Sequence, residues 1–598
     1  MIKTPVSGKV GLVTFTILSE GAPISDLYPV HSIEVEKTVN KIPFARVTLY
    51  DGSAAEEDFG ISDKDVFLPG KIITIKVGYD FEESILFKGV IVKHMVKIQR
   101  SGDFFLIVDI MDKALKMTLE RKSDLYPKIR DSELIGKLIT NNGLSKEVES
   151  TGFVNEEIVQ YYATDWDLMM MRAEVNSLLV TIEDGKVTVK KPDTGQTPVL
   201  EVAFGDTILD FQAEVDASTQ LDPVAVKGYS WDPATLNLAE SGPGVVNIRE
   251  QGNLSSAQLA KVFAVKNFPL QSGGDIARES LKDWASSGLQ KSKLAKIRGT
   301  VRFQGNAAVL PGKMIKLSGV GDRFNGNAFI SAVFHRIGKG DWVTEVHFGM
   351  PFKWLADEMK NIPAPGASGQ LPPIRGLQTG IVKKVDGDPA GEFRVLVNFP
   401  LLQNKNKSIW ARLGTFYASK KTGAFFFPEP GDEVIVSFLN EDPRYPVILG
   451  SLYSKKMAPP FVPDEQNNKK AIVSREKLQI SFDDKDKIIE IRTPGGHIIK
   501  MDDKSGALSI KDSNKNNISL SKGGISLDSD THLKINAKGN VNIAANGNIV
   551  LAAKANLTME GAQISNNAKA KFSAKGNAAA ELTASGMVTV KGAMVKIN

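Results

Sequence analysis

Short apolar couplets recur toward the end of the chain: Ile518/Leu520, Ile525/Leu527, Leu533/Ile535, Val541/Ile543, Ile549/Leu551 and Leu557/Met559. Alternation within a couplet is the two-residue period of a strand with one buried face. Couplets are spaced by seven residues once and then by eight, four times over. An even step leaves every couplet on the same side of the pleat. Gly523-Gly524, Gly539, Gly547 and Gly561 stand where each pass must turn. The pattern predicts a β-helix, a rod of short strands wound round a narrow apolar axis. Longer passes, Ile489/Ile491, Ile499/Met501 and Leu508/Ile510, extend it back to about Ile472.

Such a rod cannot enclose its own core. From Lys515 to Asn598 there are ten Lys, four acidic residues, no Trp or Tyr, and Phe572 as the one aromatic. Two apolar side chains per pass supply one wall, so several identical chains must each contribute one. A closed cyclic assembly, most simply a trimer, does this and pairs the strand edges as well. Leu533, Ile535, Val541, Ile543, Ile549 and Leu551 are then the expected trimer core. Low-complexity disorder would not preserve the phase of the couplets. The last passes, Met587–Val590 and Met594–Asn598, bring no polar lid. Either these side chains fray or a partner covers them, and Val588, Val590, Val595, Ile597 and Asn598 are then the expected docking face.

Upstream the pattern changes. Residues 1–115 alternate in strand-like runs broken by Gly and Asp turns. A mixed segment, 116–200, holds a helix starting near Asp131 and a second starting near Asp165, which leads into a hairpin turning at Asp184-Gly185. Strands return over 201–360 around a helical stretch at about 255–295. Within these regions Leu68-Pro69-Gly70-Lys71-Ile72 recurs as Leu310-Pro311-Gly312-Lys313-Met314, and His94 and His335 follow at nearly matched distances. The repeat predicts two related β-barrels and places the two histidines as equivalents. In a trimer, two barrels per chain make a ring of six similar units. A Pro/Gly/Ala linker at 361–374 precedes compact strands over 375–455, the size of an OB-type barrel. A second linker, 456–471, leads into the rod at 472–598.

Composition narrows the function. Net charge is 74 − 69 = +5 over 598 residues, and the Lys of the rod are evenly spread without stacking aromatics, which argues against nucleic-acid binding. The chain has no cysteine, so thiolate metal sites and disulfides are excluded. The first residues lack a secretory layout, and no apolar run is long enough for a membrane span. The expectation is synthesis in the cytoplasm, no stable membrane insertion, and export without a cleaved leader.

The barrel region carries the most specific signature: Pro428-Glu429-Pro430-Gly431-Asp432-Glu433-Val434, then Pro446-Val447-Ile448-Leu449-Gly450-Ser451-Leu452-Tyr453. This hairpin and closing strand resemble those of the VgrG spike proteins of type VI secretion systems, which look like a phage tail hub fused to a tail spike. Thr164-Asp165-Trp166-Asp167-Leu168 with Arg172, Glu174 and the Glu183-Asp184-Gly185 turn is similar to that family's hub insertion. The fold implied is mainly β: a duplicated β-barrel hub with an α/β insertion, an OB-fold barrel, and a C-terminal intertwined trimeric β-helix. The resemblance also implies a homotrimer seated on a hexameric tube protein, among baseplate proteins. A PAAR-type tip protein on the rod, with effectors or their adaptors as cargo, and export by the contractile machine complete what it implies.

Catalytic chemistry is sparse. About twenty residues separate Tyr453 from Ile472, too few for a lysozyme-like fold with two carboxylates. His31, His94, His335, His347, His497 and His532 lack metal-ligand spacing. Asp386 and Asp388, and Asp483, Asp484 and Asp486, are too few for a calcium loop. Leu310–Lys313 ends like a phosphate loop, but Met314 stands where Ser or Thr is needed. The expectation is no cofactor, no metal and no catalytic residue. The rival functions are a wall-degrading enzymatic spike and a trimeric adhesin.

Overall fold

The computed structural model describes residues 2–5, 11–402 and 408–597. It falls into two compact units, 1–452 and 453–598. The first contains the hub and the OB barrel; the second contains the tail.

The hub is built on a doubled plan. Its first half has β1 (Val13–Ser19), β2 (Val30–Thr38), β3 (Phe44–Tyr50), β4 (Ile72–Tyr79), β5 (Glu82–Ile98) and β6 (Phe104–Met111). Its second half has β7 (Leu200–Ala203), β8 (Ile208–Val215), β9 (Ile297–Gln304), β10 (Met314–Ser318), β11 (Gly326–Gly338) and β12 (Asp341–Phe348). The first six pair in the order β2-β3-β6-β5-β4-β1, the second six in the order β8-β9-β12-β11-β10-β7. Even the irregularities repeat. A bulge between Val30 and Ser32 is matched by one between Ile208 and Asp210. Another between Ile91 and Lys93 is matched by one between Ile330 and Ala332. One difference is that β1 runs antiparallel to β4, whereas β7 runs parallel to β10.

The repeated Leu-Pro-Gly-Lys segment is a turn, not a phosphate loop. Gly70 and Gly312 both take positive φ, where a side chain would be strained. Gly70 donates its N–H to Ile91 O at 2.9 Å and Gly312 donates to Ile330 O at 2.8 Å; Ile91 and Ile330 donate back to Lys71 and Lys313 at 2.9 Å. This equivalence corrects the expectation for the histidines. With Ile91 matching Ile330 and the bulges aligned, His94 corresponds to Val333, and His335 lies two residues further on.

Each half has one core. Ile33, Val47, Ile75, Phe87 and Val108 fill the first; Val202, Val301, Phe303, Ile315 and Val346 fill the second. The halves are also joined, because β11 pairs with β2 and its Ile337 packs in the first core.

The α/β insertion forms as expected. α1 (Asp131–Asn141) and α2 (Asp165–Val175) pack with the Leu179–Glu183/Lys186–Lys190 hairpin around Leu134, Trp166, Met169 and Val187. Asp184 and Gly185 both take positive φ at the hairpin turn, as a two-residue connection requires. The helical stretch of 255–295 is broken in two. α3 (Ser256–Phe263) ends at Ala264, which is left-handed, and α4 (Arg278–Leu294) starts later. Between them Phe268–Ser272 pairs in parallel with the Val226–Asp232 strand, because Pro269 and Gly273-Gly274 cannot continue a helix.

His335 is 2% exposed and its Nδ1 lies 2.9 Å from Thr344 Oγ1. Burial, with Lys37 nearby as a lesser cause, drops its pKa from 6.5 to about 3. The unfolded chain therefore takes up this proton first as pH falls. The stability this site supplies is complete above pH 6.5 and is lost on the way down to about 3. Roughly 2–3 kcal/mol should be gone by pH 4.5. Denaturant titrations at pH 7 and 4.5 should show the parent losing that much more than His335→Gln. Equal losses would mean that His335 contributes nothing to the pH dependence.

Candidate functional site

Five strands, Gln378–Lys384, Val395–Asn398, Ile409–Leu413, Glu433–Phe438 and Pro446–Ser451, close into a barrel. Val382, Val395, Val397, Val434, Val436 and Ile448 fill it. The signature residues build its corner. Gly431 takes positive φ and donates to Val382 O at 2.8 Å; Asp432 accepts from Glu429 N at 2.8 Å. Leu452 N bonds Glu433 O at 2.9 Å, tying the last strand to the first turn of the signature. Asp442 is buried and meets Arg444 at 2.6 Å, which holds its carboxyl below the usual range. The segment before the barrel is docked rather than free: Ala367 is buried and Arg375 meets Glu441 at 3.2 Å.

The tail begins as an antiparallel meander of seven five-residue strands from Lys469 to Asp528. Its register aligns the couplets: Phe482 faces Ile489, Ile489 faces Met501, Met501 faces Leu508, and Leu508 faces Leu520. From the second strand on, each strand centre is polar, as in Ser481, Glu490, Lys500, Ser509 and Ser519, which puts these residues on the opposite face. This part folds back on itself instead of winding, because Lys487, Gly506, Lys515 and Gly524 take positive φ and close tight hairpins. The apolar face is uncovered. Ten of its side chains between Ile472 and Leu520 are 38–52% exposed.

Beyond Asp528 no described residue pairs in a strand. Bends recur at Lys538-Gly539, Asn546-Gly547, Lys554-Ala555, Ala562, Lys569-Ala570, Asn577-Ala578, Ser585-Gly586 and Ala593. The eight-residue step thus continues well past Met559. Leu533, Ile535, Val541, Ile543, Ile549 and Leu551 are all 53–70% exposed, and no two of them are brought together as a core within one chain. Val588, Val590, Val595 and Ile597 are likewise 45–88% exposed; Asn598 lies outside the described residues. Ile564, Phe572 and Leu582, also exposed, extend the stripe. The sequence reading passed over them because Ala and Asn fill the other position of their couplets. The spacing of the small residues at the bends is the signal that finds them.

Charged groups elsewhere are engaged with one another. Asp388 accepts from the backbone N–H of Ala390, Glu392 and Arg394 and pairs with the Arg394 guanidinium at 2.7 Å, so its pKa is lowered. Asp483, Asp484 and Asp486 meet Lys469, Lys470 and Lys504. A hollow of about 330 Å³ between the insertion and the second hub half is lined by Glu174, Ser287, Gln290 and Lys291. Two of these, Lys291 and Glu174, pair with one another at 2.7 Å. Among the described residues no group of three His, Asp or Glu is placed to hold a metal ion, and no helix is long and apolar enough to cross a membrane.

Residues 9–339, more than half of the chain, match the family model described as the Alg8 N-terminal domain, and the chain belongs to that family. Residues 378–453, the closed barrel, match the type VI secretion system/phage-baseplate injector OB domain. As the barrel signature suggests, this part of the chain is similar to spike proteins of the VgrG type. The chain is 35% identical over 104 residues to the type VI secretion system spike protein VgrG1c of Pseudomonas aeruginosa. That match takes in 16% of this chain and 14% of the relative, so the chain spans about a seventh of the length of the curated relatives it matches. A 43 kDa tail protein of prophage MuSo2 from Shewanella oneidensis aligns over 57% of this chain and 99% of its own, at 10% identity and a TM-score of 0.42. An E. coli component of the type VI secretion system, described as similar to the T4 bacteriophage tail proteins gp27 and gp5, aligns over 73% of this chain and 99% of its own. Its identity is 13% and its TM-score 0.35.

Proposed function

We propose that the protein is the homotrimeric spike at the tip of a contractile injection tube of the type VI secretion kind. Its hub adapts a hexameric tube to a threefold needle, among baseplate proteins, and its rod carries a PAAR-type tip protein with effectors or their adaptors through a target envelope. The observation that carries this reading is the in-phase stripe from Ile472 to Ile597, left in water by a single chain. Full burial is worth roughly 1.5–3 kcal/mol for each large aliphatic side chain. Two further copies supply the missing walls. The doubled hub supports the same reading, since two similar halves per chain make six units in a trimer.

The work is mechanical. Strands paired between chains along the rod resist thrust because many backbone hydrogen bonds must break together. A wall-degrading activity is the rival: hydrolysis of peptidoglycan by the purified protein would overturn the structural role. Tip capture is tested by Val590→Asp and Val595→Asp, which put a charge on the proposed docking face. Each should lower retention of a PAAR-type tip protein by tenfold or more while the trimer mass is unchanged. Full retention by both variants would place the docking face elsewhere.

A further inference from the structure

The hollow of about 330 Å³ in the hub holds polar groups that the chain itself does not use. It lies where α2, α4, the turn after β2 and residues 350–359 meet. Part of its lining is satisfied: Glu174 pairs with Lys291 at 2.7 Å and accepts from Leu355 N at 2.9 Å. Ser177 and Gln290 differ. Each lines the hollow and is 5% exposed. Gln290 Nε2 donates to the Ser177 carbonyl at 3.0 Å. Among the described residues, Gln290 Oε1 and Ser177 Oγ have no hydrogen-bond partner. An amide oxygen and a hydroxyl left unpaired in a buried place are costly, and native folds seldom keep them without a ligand or water to meet them. Ser177 also takes a φ of 62°, a left-handed conformation that strains a residue with a side chain. Strain of this kind collects where a fold holds groups ready for binding.

The rest of the lining decides the chemistry. Met170, Leu178 and Leu294 are buried there, and Met350 and Met359 come from the segment that follows the hub strands. Methionine adapts its shape to an irregular guest, and its sulfur makes favourable contacts with aromatic rings. The volume stands at the lower end of the roughly 300–1,000 Å³ of ligand pockets. The unused polar atoms are neutral, and a free charge set against them would stay unpaired at a large cost. The exposed charged residues of the lining, Lys41, Lys353 and Glu358, carry both signs and so select neither.

We propose that this hollow binds a small, uncharged aromatic molecule with one N–H or O–H donor, an indole being the simplest fit. The donor bonds to Gln290 Oε1, Ser177 Oγ offers a second polar contact, and the ring packs against the methionines. The site belongs to the single chain, so it goes beyond the spike reading and does not depend on the trimer.

N-methylindole and its isomer skatole test this, because they have the same atoms and only skatole keeps the N–H donor. Titrated against the full chain with ligand-detected NMR, skatole should bind at least tenfold tighter, the effect expected when a buried acceptor is left unpaired. Gln290→Met, of similar length and without the acceptor, should bring the two affinities together. Met359→Trp alters a residue that is 45% exposed and should fill the hollow, so that neither probe binds. Equal binding of the two isomers to the parent chain would overturn the proposal whatever the variants do. So would full binding by Met359→Trp, or no binding of skatole at all, which would leave the hollow to water.

Discussion

Replacing Val541 and Ile549 together with aspartate should convert the protein from a trimer to a monomer. Both side chains belong to the eight-residue stripe and are more than half exposed in one chain. In the proposed trimeric rod each level gathers three copies of the same residue around the axis. An aspartate there brings three carboxylates together in an apolar environment, and an isolated charge in such a place costs several kcal/mol even after relaxation. Two such levels outweigh the roughly 1.5–3 kcal/mol that each neighbouring aliphatic contributes. Sedimentation should show the variant at one third of the parent mass. An intact trimer would mean that the stripe does not face the axis. Exchange of nearby Lys538 and Lys554 for glutamate should leave the mass unchanged, since neither belongs to a couplet.

The second large effect is expected at Asp165, the first residue of α2. Its side chain is buried, and it accepts hydrogen bonds from Lys122 Nζ at 2.8 Å, Asn142 Nδ2 at 2.7 Å and Gln160 Nε2 at 3.1 Å. Burial alone would raise its pKa, but these bonds outweigh it and the pKa is lowered. Asp165→Ala leaves three donors facing an empty place, one of them charged. Breaking a buried pair in this way costs roughly 3–5 kcal/mol. Amides of α1 and α2 should then exchange about 100- to 3,000-fold faster, at one tenfold step per 1.4 kcal/mol, while the OB barrel keeps its protection. Unchanged exchange in α1 and α2 would show that the cluster does not hold the insertion together.

Much of this architecture was legible because it is periodic. The couplets fixed the phase of the tail, since a step of eight cannot flip a pleat. The Leu-Pro-Gly-Lys repeat disclosed the doubled hub, because both copies need a glycine where the turn takes positive φ. Two features were hidden. The offset between His94 and His335 arises because the stretch from Gly70 to Ile91 is longer than that from Gly312 to Ile330, which shows only once the strands are paired. The break between α3 and α4 is set by Phe268–Ser272 joining a neighbouring strand, a tertiary contact that local propensity does not report. Phe572 and Leu582 escaped for a different reason: their passes keep one apolar residue each, and the rhythm survives in the bends.

The account depends on a stripe that one chain leaves in water and three chains can hide. The mass of the purified full-length protein in solution, measured by light scattering, tests this most directly. Three times 64.9 kDa is the expected result. A stable species of 64.9 kDa with its tail protected from protease would contradict it.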